Sequence, residues 1–192
     1  MLKSFKDTIQ ILSDALNTVD TDIFGRLVEN CCTSLLNGRK IVVSGLGKNV
    51  PICEKFVGTM NSLGLDAAFL HTNSAIHGDM GLVKPGDVLI ILTKSGETSE
   101  SIYLVNLIEK RGACMWLISF EKDSTLAKRI PGRIILDMQH EGDMWNIMPN
   151  NSTTLNLIIL QNLAMEIAKN MNVTLEDFKE NHPGGHIGEI LK

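Results

Sequence analysis

The chain has 192 residues and a net charge of −4 at neutral pH, and 44% of it is hydrophobic but only 5% aromatic. That length suits one domain and is too short for two full-sized ones. Nothing in the charge favours a nucleic-acid partner, which calls for a basic face, and no apolar run reaches the roughly 18 residues that span a membrane. A small anionic substrate remains compatible, because a local pocket binds one whatever the global charge.

The first ten residues, MLKSFKDTIQ, contain no apolar signal region. Phe5, Ile9, Leu12 and Leu16 recur at three- and four-residue steps, the stripe of an amphipathic helix. A second helix carries Phe24, Leu27, Val28, Cys31 and Leu35, with Thr21-Asp22 expected to cap it and Asn37-Gly38 to stop it. Lys40–Ser44 then reads as a strand entering the turn Gly45-Leu46-Gly47, with a helix running to about Leu63 and a second strand at Ala67–Leu70. Asp87–Thr93 is apolar almost throughout, as a strand buried on both faces should be, and Ser99–Arg111 is its helix. Cys114–Ser119 and Arg133–Leu136 are strands around a short helix at Ser124–Arg129. A long helix at Asn151–Asn170, a short one at Thr174–Asn181 and the segment HPGGHIGEILK close the chain.

Short apolar strands alternating with helices predict an α/β fold: a three-layer sandwich with a five-stranded, mostly parallel sheet flanked by helices. Residues 1–192 read as one domain, with 1–37 packing on it or on a neighbouring subunit. Ligands of such sheets bind beyond the carboxyl ends of the strands, which directs attention to the segments after Ser44, Thr93 and Leu136. Cys31, Cys32, Cys53 and Cys114 form no C-x-x-C pair and read as reduced thiols of a cytoplasmic protein.

Polar residues collect at those strand ends. Ser44-Gly45-Leu46-Gly47-Lys48-Asn49 offers a close backbone approach, a helix N-terminus and one positive charge. Thr93-Lys94-Ser95-Gly96-Glu97-Thr98-Ser99-Glu100 combines hydroxyls, a glycine and free amides suited to a phosphate monoester, and it also reads as a helix cap. Glu97 and Glu100 beside an anion site need a reason, and acid–base chemistry is one. His71–Gly81 places two histidines in a polar loop without the spacing of a metal site. Gln139–Asp143 and His182–His186 are polar loops that carry little alone.

In order, these segments resemble the sugar isomerase (SIS) domain, and within it the arabinose 5-phosphate isomerases, from about Asn37 to Leu191. GLGKN at Gly45–Asn49 is similar to the family's glycine loop, His77-Gly78-Asp79-Met80-Gly81 to its HGDxG segment, and Thr93–Glu100 to its phosphate loop. Pro149-Asn150-Asn151-Ser152-Thr153-Thr154 is similar to its Pro-Ser/Thr segment, and His182–Gly188 to its HPGGxxG ending. The resemblance implies a catalytic set of Lys48, Glu100, Glu141 and His182. It implies substrate binding by Ser44, Gly45, Gly47, His77, Thr93, Ser95, Gly96 and Thr98. It further implies interconversion of D-arabinose 5-phosphate and D-ribulose 5-phosphate through an enediol, with no metal or organic cofactor. The implied partners are a sugar phosphate and further copies of the chain, in a homotetramer with sites at subunit interfaces. The implied setting is supply of a lipopolysaccharide or capsule precursor, or sugar uptake. Thr72-Asn73-Ser74 departs from the family's usual Pro-Ala-Glu, and Lys94 stands in place of a common Asn. Most members continue into paired CBS domains, whereas this sequence stops at Lys192 and reads as a catalytic domain alone. The competing readings are a SIS isomerase for another sugar phosphate and a non-catalytic sugar-phosphate-binding regulator.

Overall fold

The computed structural model describes residues 2–190; Met1, Leu191 and Lys192, the ends of the expected domain, lie outside the described residues. The chain opens with α1 (Leu2–Leu16) and α2 (Thr21–Leu36), followed by β1 (Ile41–Gly45), α3 (Val50–Ser62) and β2 (Ala67–Phe69). A short α4 (Thr72–Ala75) leads to β3 (Val88–Leu92), α5 (Ser99–Ile108), β4 (Cys114–Ser119), α6 (Thr125–Arg129) and β5 (Gly132–Ile135). The long α7 (Asn151–Asn170) and the short α8 (Leu175–Glu180) and α9 (Gly185–Ile190) complete it.

The five strands form one sheet in the order β2-β1-β3-β4-β5, and every pair is parallel, which tightens the expected "mostly parallel" sheet. The central strands β1 and β3 are buried at every position because helices cover both faces. Ile41, Val43, Ile90, Leu92 and Ile118 face a core shared with Leu12 and Ala15 of α1, Leu27 and Val28 of α2, Phe56 of α3 and the apolar side of α7. Val42, Leu89, Ile91 and Leu117 face the other core, with Leu104 and Ile108 of α5 and Leu126 of α6. The N-terminal helices therefore share the core of the sheet itself. Burying each such side chain contributes about 1.5–3 kcal/mol.

Three local outcomes differ from the sequence expectations. Asp20, one residue ahead of the expected cap, accepts from the amides of Asp22 and Ile23 at 2.9 and 3.0 Å and caps α2. The polar loop after β2 contains α4, a single turn with no room for apolar periodicity, where His71 Nδ1 accepts from the Asn73 amide. The closing segment contains α9 despite its glycines. Gly188 is needed there, because a Cβ would come within 2.5 Å of the His182 carbonyl oxygen.

Candidate active site

The connections after β1 and β3 diverge: α3 packs on one face of the sheet and α5 on the other. The crevice they leave between adjacent parallel strands is the switch point at which α/β sheets bind ligands. The loops bearing the polar motifs border it.

After β1 the backbone passes close to α3. A Cβ at Gly45 would lie 2.8 Å from Asn49 Cβ and 3.3 Å from Cys53 Sγ, so only glycine lets the loop turn this tightly. Gly47 follows with φ +56°, opening a 3-10 turn at Gly47–Asn49 that presents Lys48 to solvent. Ser44 is buried at the strand end and shares a 3.0 Å hydrogen bond with the hydroxyl of Thr72. That bond makes Thr72, part of the departing Thr72-Asn73-Ser74 loop, a neighbour of the glycine turn.

After β3 the hydroxyl oxygens of Thr93 and Ser95 accept from the amides of Gly96 and Glu97, each at 3.2 Å. Each hydroxyl keeps its own O–H to donate to an anion. Gly96 adopts φ +67°, and a Cβ there would collide with the Ser124 hydroxyl. The expected helix cap does not form: Thr98 makes no side-chain bond to the N-terminus of α5, so the first-turn amides other than that of Glu100 remain for a phosphate. Glu97 serves structure instead. It accepts from the Thr125 amide at 2.6 Å, a bond across the loop that also holds its pKa low. Glu100 is exposed at the start of α5, and its own backbone amide and the Ser99 hydroxyl at 2.9 Å lower its pKa.

The third wall comes from the segment between β5 and α7. Along α7 the buried residues are apolar from Leu155 onward except Asn156, and the first turn buries Asn151 and Ser152. Buried polar groups need partners, and these find most of them in the site, the Asn156 Oδ1 oxygen being left without one among the described residues. The Ser152 hydroxyl donates to Glu141 Oε1 at 2.8 Å, and the Ser152 and Asn150 amides donate to Oε2 at 2.9 and 3.0 Å. Asn156, one turn on, donates to Asn49 Oδ1 at 2.9 Å and ties the glycine loop to the same helix. Lys94 Nζ lies 2.7 Å from Glu141 Oε1. Burial pushes the Glu141 carboxyl up, but Lys94 and the donors of α7 outweigh it and leave its pKa below the usual value.

Among the described residues, His77 and His182 share no hydrogen bond with this cluster. His77 is exposed after α4, its backbone amide bonded to the Ser74 carbonyl. His182 stacks on Phe178 at 4.0 Å between ring centres, with Nδ1 2.7 Å from the Phe178 carbonyl oxygen. The adjacent Asn181 side chain donates to the carbonyl of Ser62, the last residue of α3. Since α3 starts at the glycine loop and is about 20 Å long, His182 sits at the end of the domain away from Lys48. Sequence reasoning placed Lys94, Thr72 and Ser152 within motif segments but not in these contacts, and it missed Asn156. For α7 a signal existed: Ser152 and Asn156, four residues apart, put polar side chains on the face that becomes buried.

Residues 34–166 match the SIS domain family. The chain is 32% identical to arabinose 5-phosphate isomerase KdsD of Pseudomonas aeruginosa over 99% of its own length and 58% of that protein's. It thus spans little more than half of that relative. A Bacteroides fragilis protein, assigned in its crystal structure to the phosphosugar isomerases and to capsule formation, superposes with a TM-score of 0.89 at 28% identity, covering 97% of this chain and 99% of that one. An Escherichia coli CFT073 protein solved in complex with arabinose 5-phosphate gives 0.87 at 26% identity, covering 95% of each chain.

Proposed function

The chain belongs to the SIS domain family, and on that premise we propose that it is an aldose–ketose isomerase interconverting D-arabinose 5-phosphate and D-ribulose 5-phosphate. The observation that carries this reading is that the phosphate loop, through Lys94, meets the buried carboxylate of Glu141 at the start of α7, the helix to which Asn49 of the glycine loop is also tied. The names borne by the Pseudomonas and Escherichia coli relatives support the substrate.

The reaction moves a carbonyl between C1 and C2. The sugar ring opens, a base removes the C2 proton to give an enediolate, and a proton returns at C1. Electrons are redistributed within the substrate, so the step requires no external oxidant or organic cofactor. Thr93, Ser95 and Thr98 hold the phosphate with the amides around Gly96 and the first turn of α5. Ser44, Gly45 and Gly47 shape the approach for the sugar, and His77 contributes to its rim. Glu141 carries the C1/C2 proton transfer. Lys48 offsets the developing oxyanion. His182, oriented by Glu100, assists ring opening or shuttles the hydroxyl proton.

This division of labour requires a second copy of the chain, because His182 lies at the far end of α3 from the rest. We read residues 1–192 as one cytoplasmic catalytic domain that assembles as a homotetramer with sites at subunit interfaces. Two observations support assembly. Glu100 is exposed with one side-chain partner, and the loop after Glu141 projects Met144, Trp145, Ile147 and Met148 into solvent. That apolar display is held in shape by Asp143, which accepts from the amides of Trp145, Ile147 and Met148.

The test has two parts. Purified protein is assayed with arabinose 5-phosphate, ribulose 5-phosphate, a hexulose 6-phosphate and sedoheptulose 7-phosphate. Fastest turnover is expected with the first pair. Tight binding with no turnover of any of them would favour a sensor and end the enzyme reading. Glu141→Gln and His182→Ala chains are then co-expressed: sites shared between subunits regain activity in the mixed oligomer, and sites within one chain do not.

A further inference from the structure

Lys94 is a residue of the phosphate loop to which the proposed chemistry gives no part. An ionised carboxylate offers about four acceptor positions, and those of Glu141 are filled. Oε2 receives the Asn150 and Ser152 amides, and Oε1 receives the Ser152 hydroxyl and the Lys94 ammonium. The two amides are backbone groups at the N-terminus of α7, whose stripe from Leu155 to Ala168 is locked in the core, and the Ser152 hydroxyl turns about a single bond beside them. Lys94 alone comes from another element on a flexible stem, and its side chain is 42% exposed while that of Glu141 is 0%.

We propose that Lys94 is a positioning residue for Glu141: it clamps the carboxylate against α7 and is its one charged partner among the described residues, giving way when the carboxylate takes up the substrate proton. The proposal rests on the reading of Glu141 as proton carrier. The side chains around Glu141 leave this task to Lys94. On α7 the facing groups are Ser152 and the Asn150 amide, neither of which titrates. On its own loop, His140 Nδ1 accepts from the Gly142 amide, and Asp143 is occupied with the amides of Trp145, Ile147 and Met148. A carboxylate buried without a cation takes up a proton at higher pH, so the placement of Lys94 couples the phosphate loop to the charge state of the base.

The test compares wild type with Lys94→Met and, as a variant that retains polarity, Lys94→Gln. The Glu141 carboxyl is titrated by carbon NMR, with Glu141→Gln identifying its signal, and kcat and KM for arabinose 5-phosphate are measured across pH. The titration midpoint should rise by about one pH unit or more in both variants. The acid limb of kcat/KM should rise with it, kcat should fall up to roughly 100-fold, and KM should change little. An unchanged midpoint overturns the proposal, as does an effect confined to KM, which would make Lys94 a phosphate ligand. A raised midpoint in a protein that turns over no sugar phosphate upholds the clamp and removes the isomerase reading.

Discussion

At the start of α7, Glu141 is buried and meets the Lys94 ammonium, one hydroxyl and two amides; at the start of α5, Glu100 is exposed and meets one hydroxyl from its neighbour Ser99. Both carboxyls have lowered pKa values, for different reasons. Glu141 overcomes burial through Lys94 and the donors of α7, whereas Glu100 responds chiefly to its own backbone amide. The first carboxylate is fixed completely by its own chain. The second is held only locally and is free to meet a group from outside. Under the proposed function the second kind of residue is the one that would receive a group from a neighbouring copy, and His182 is the candidate.

The largest effect that sharpens this contrast is on turnover. Glu141→Gln should lower isomerisation about 100- to 10,000-fold, and it should also lower the thermal midpoint, because an amide NH2 then faces donors in place of an acceptor. Glu100→Gln should reduce turnover with the thermal midpoint unmoved. Equal thermal shifts in the two variants would break the comparison. Next comes Ser152→Ala, which removes one donor from a buried carboxylate and should cost about 1–3 kcal/mol of stability in chemical denaturation.

The smallest effect is in the pH dependence of stability. Glu141 has a folded pKa below its unfolded value, so its contribution is complete above the ordinary carboxylate range and is lost as pH falls through the depressed value. Wild type should therefore exceed Glu141→Gln in thermal midpoint at neutral pH, and the gap should close below about pH 4. A gap that stayed constant through that range would mean that the Glu141 carboxylate gives the fold no pH-dependent support.

Most of the layered architecture was legible in the residues. Val88–Leu92 lies within the run Asp87–Thr93 that reads as a strand buried on both faces, Ile41–Gly45 falls on the β-branched run entering the glycine turn, and α7 matches its Leu- and Ile-rich run to the residue. The edges were less legible. α4 and α9 are too short to show a period, and the α2 cap fell one residue from its expected place because Asp20, Thr21 and Asp22 are all competent caps. Within the site, the motif at Thr93–Glu100 suggested two acid–base glutamates, and the structure separates them: Glu97 braces α6, leaving Glu100 available.

The sequence by itself determined the order of strands and helices and the loops that carry polar chemistry, because hydrophobic periodicity and glycine turns are local properties of the chain. Tertiary structure alone decided which of those loops meet. Lys94 reaches Glu141 from a different strand end, and Asn156 reaches Asn49 and Ser44 reaches Thr72 across separations of 107 and 28 residues. Such contacts depend on the strand order β2-β1-β3-β4-β5, which no local pattern encodes. The same packing leaves His182 at the far end of α3, against Phe178 and beside the Asn181 contact to Ser62.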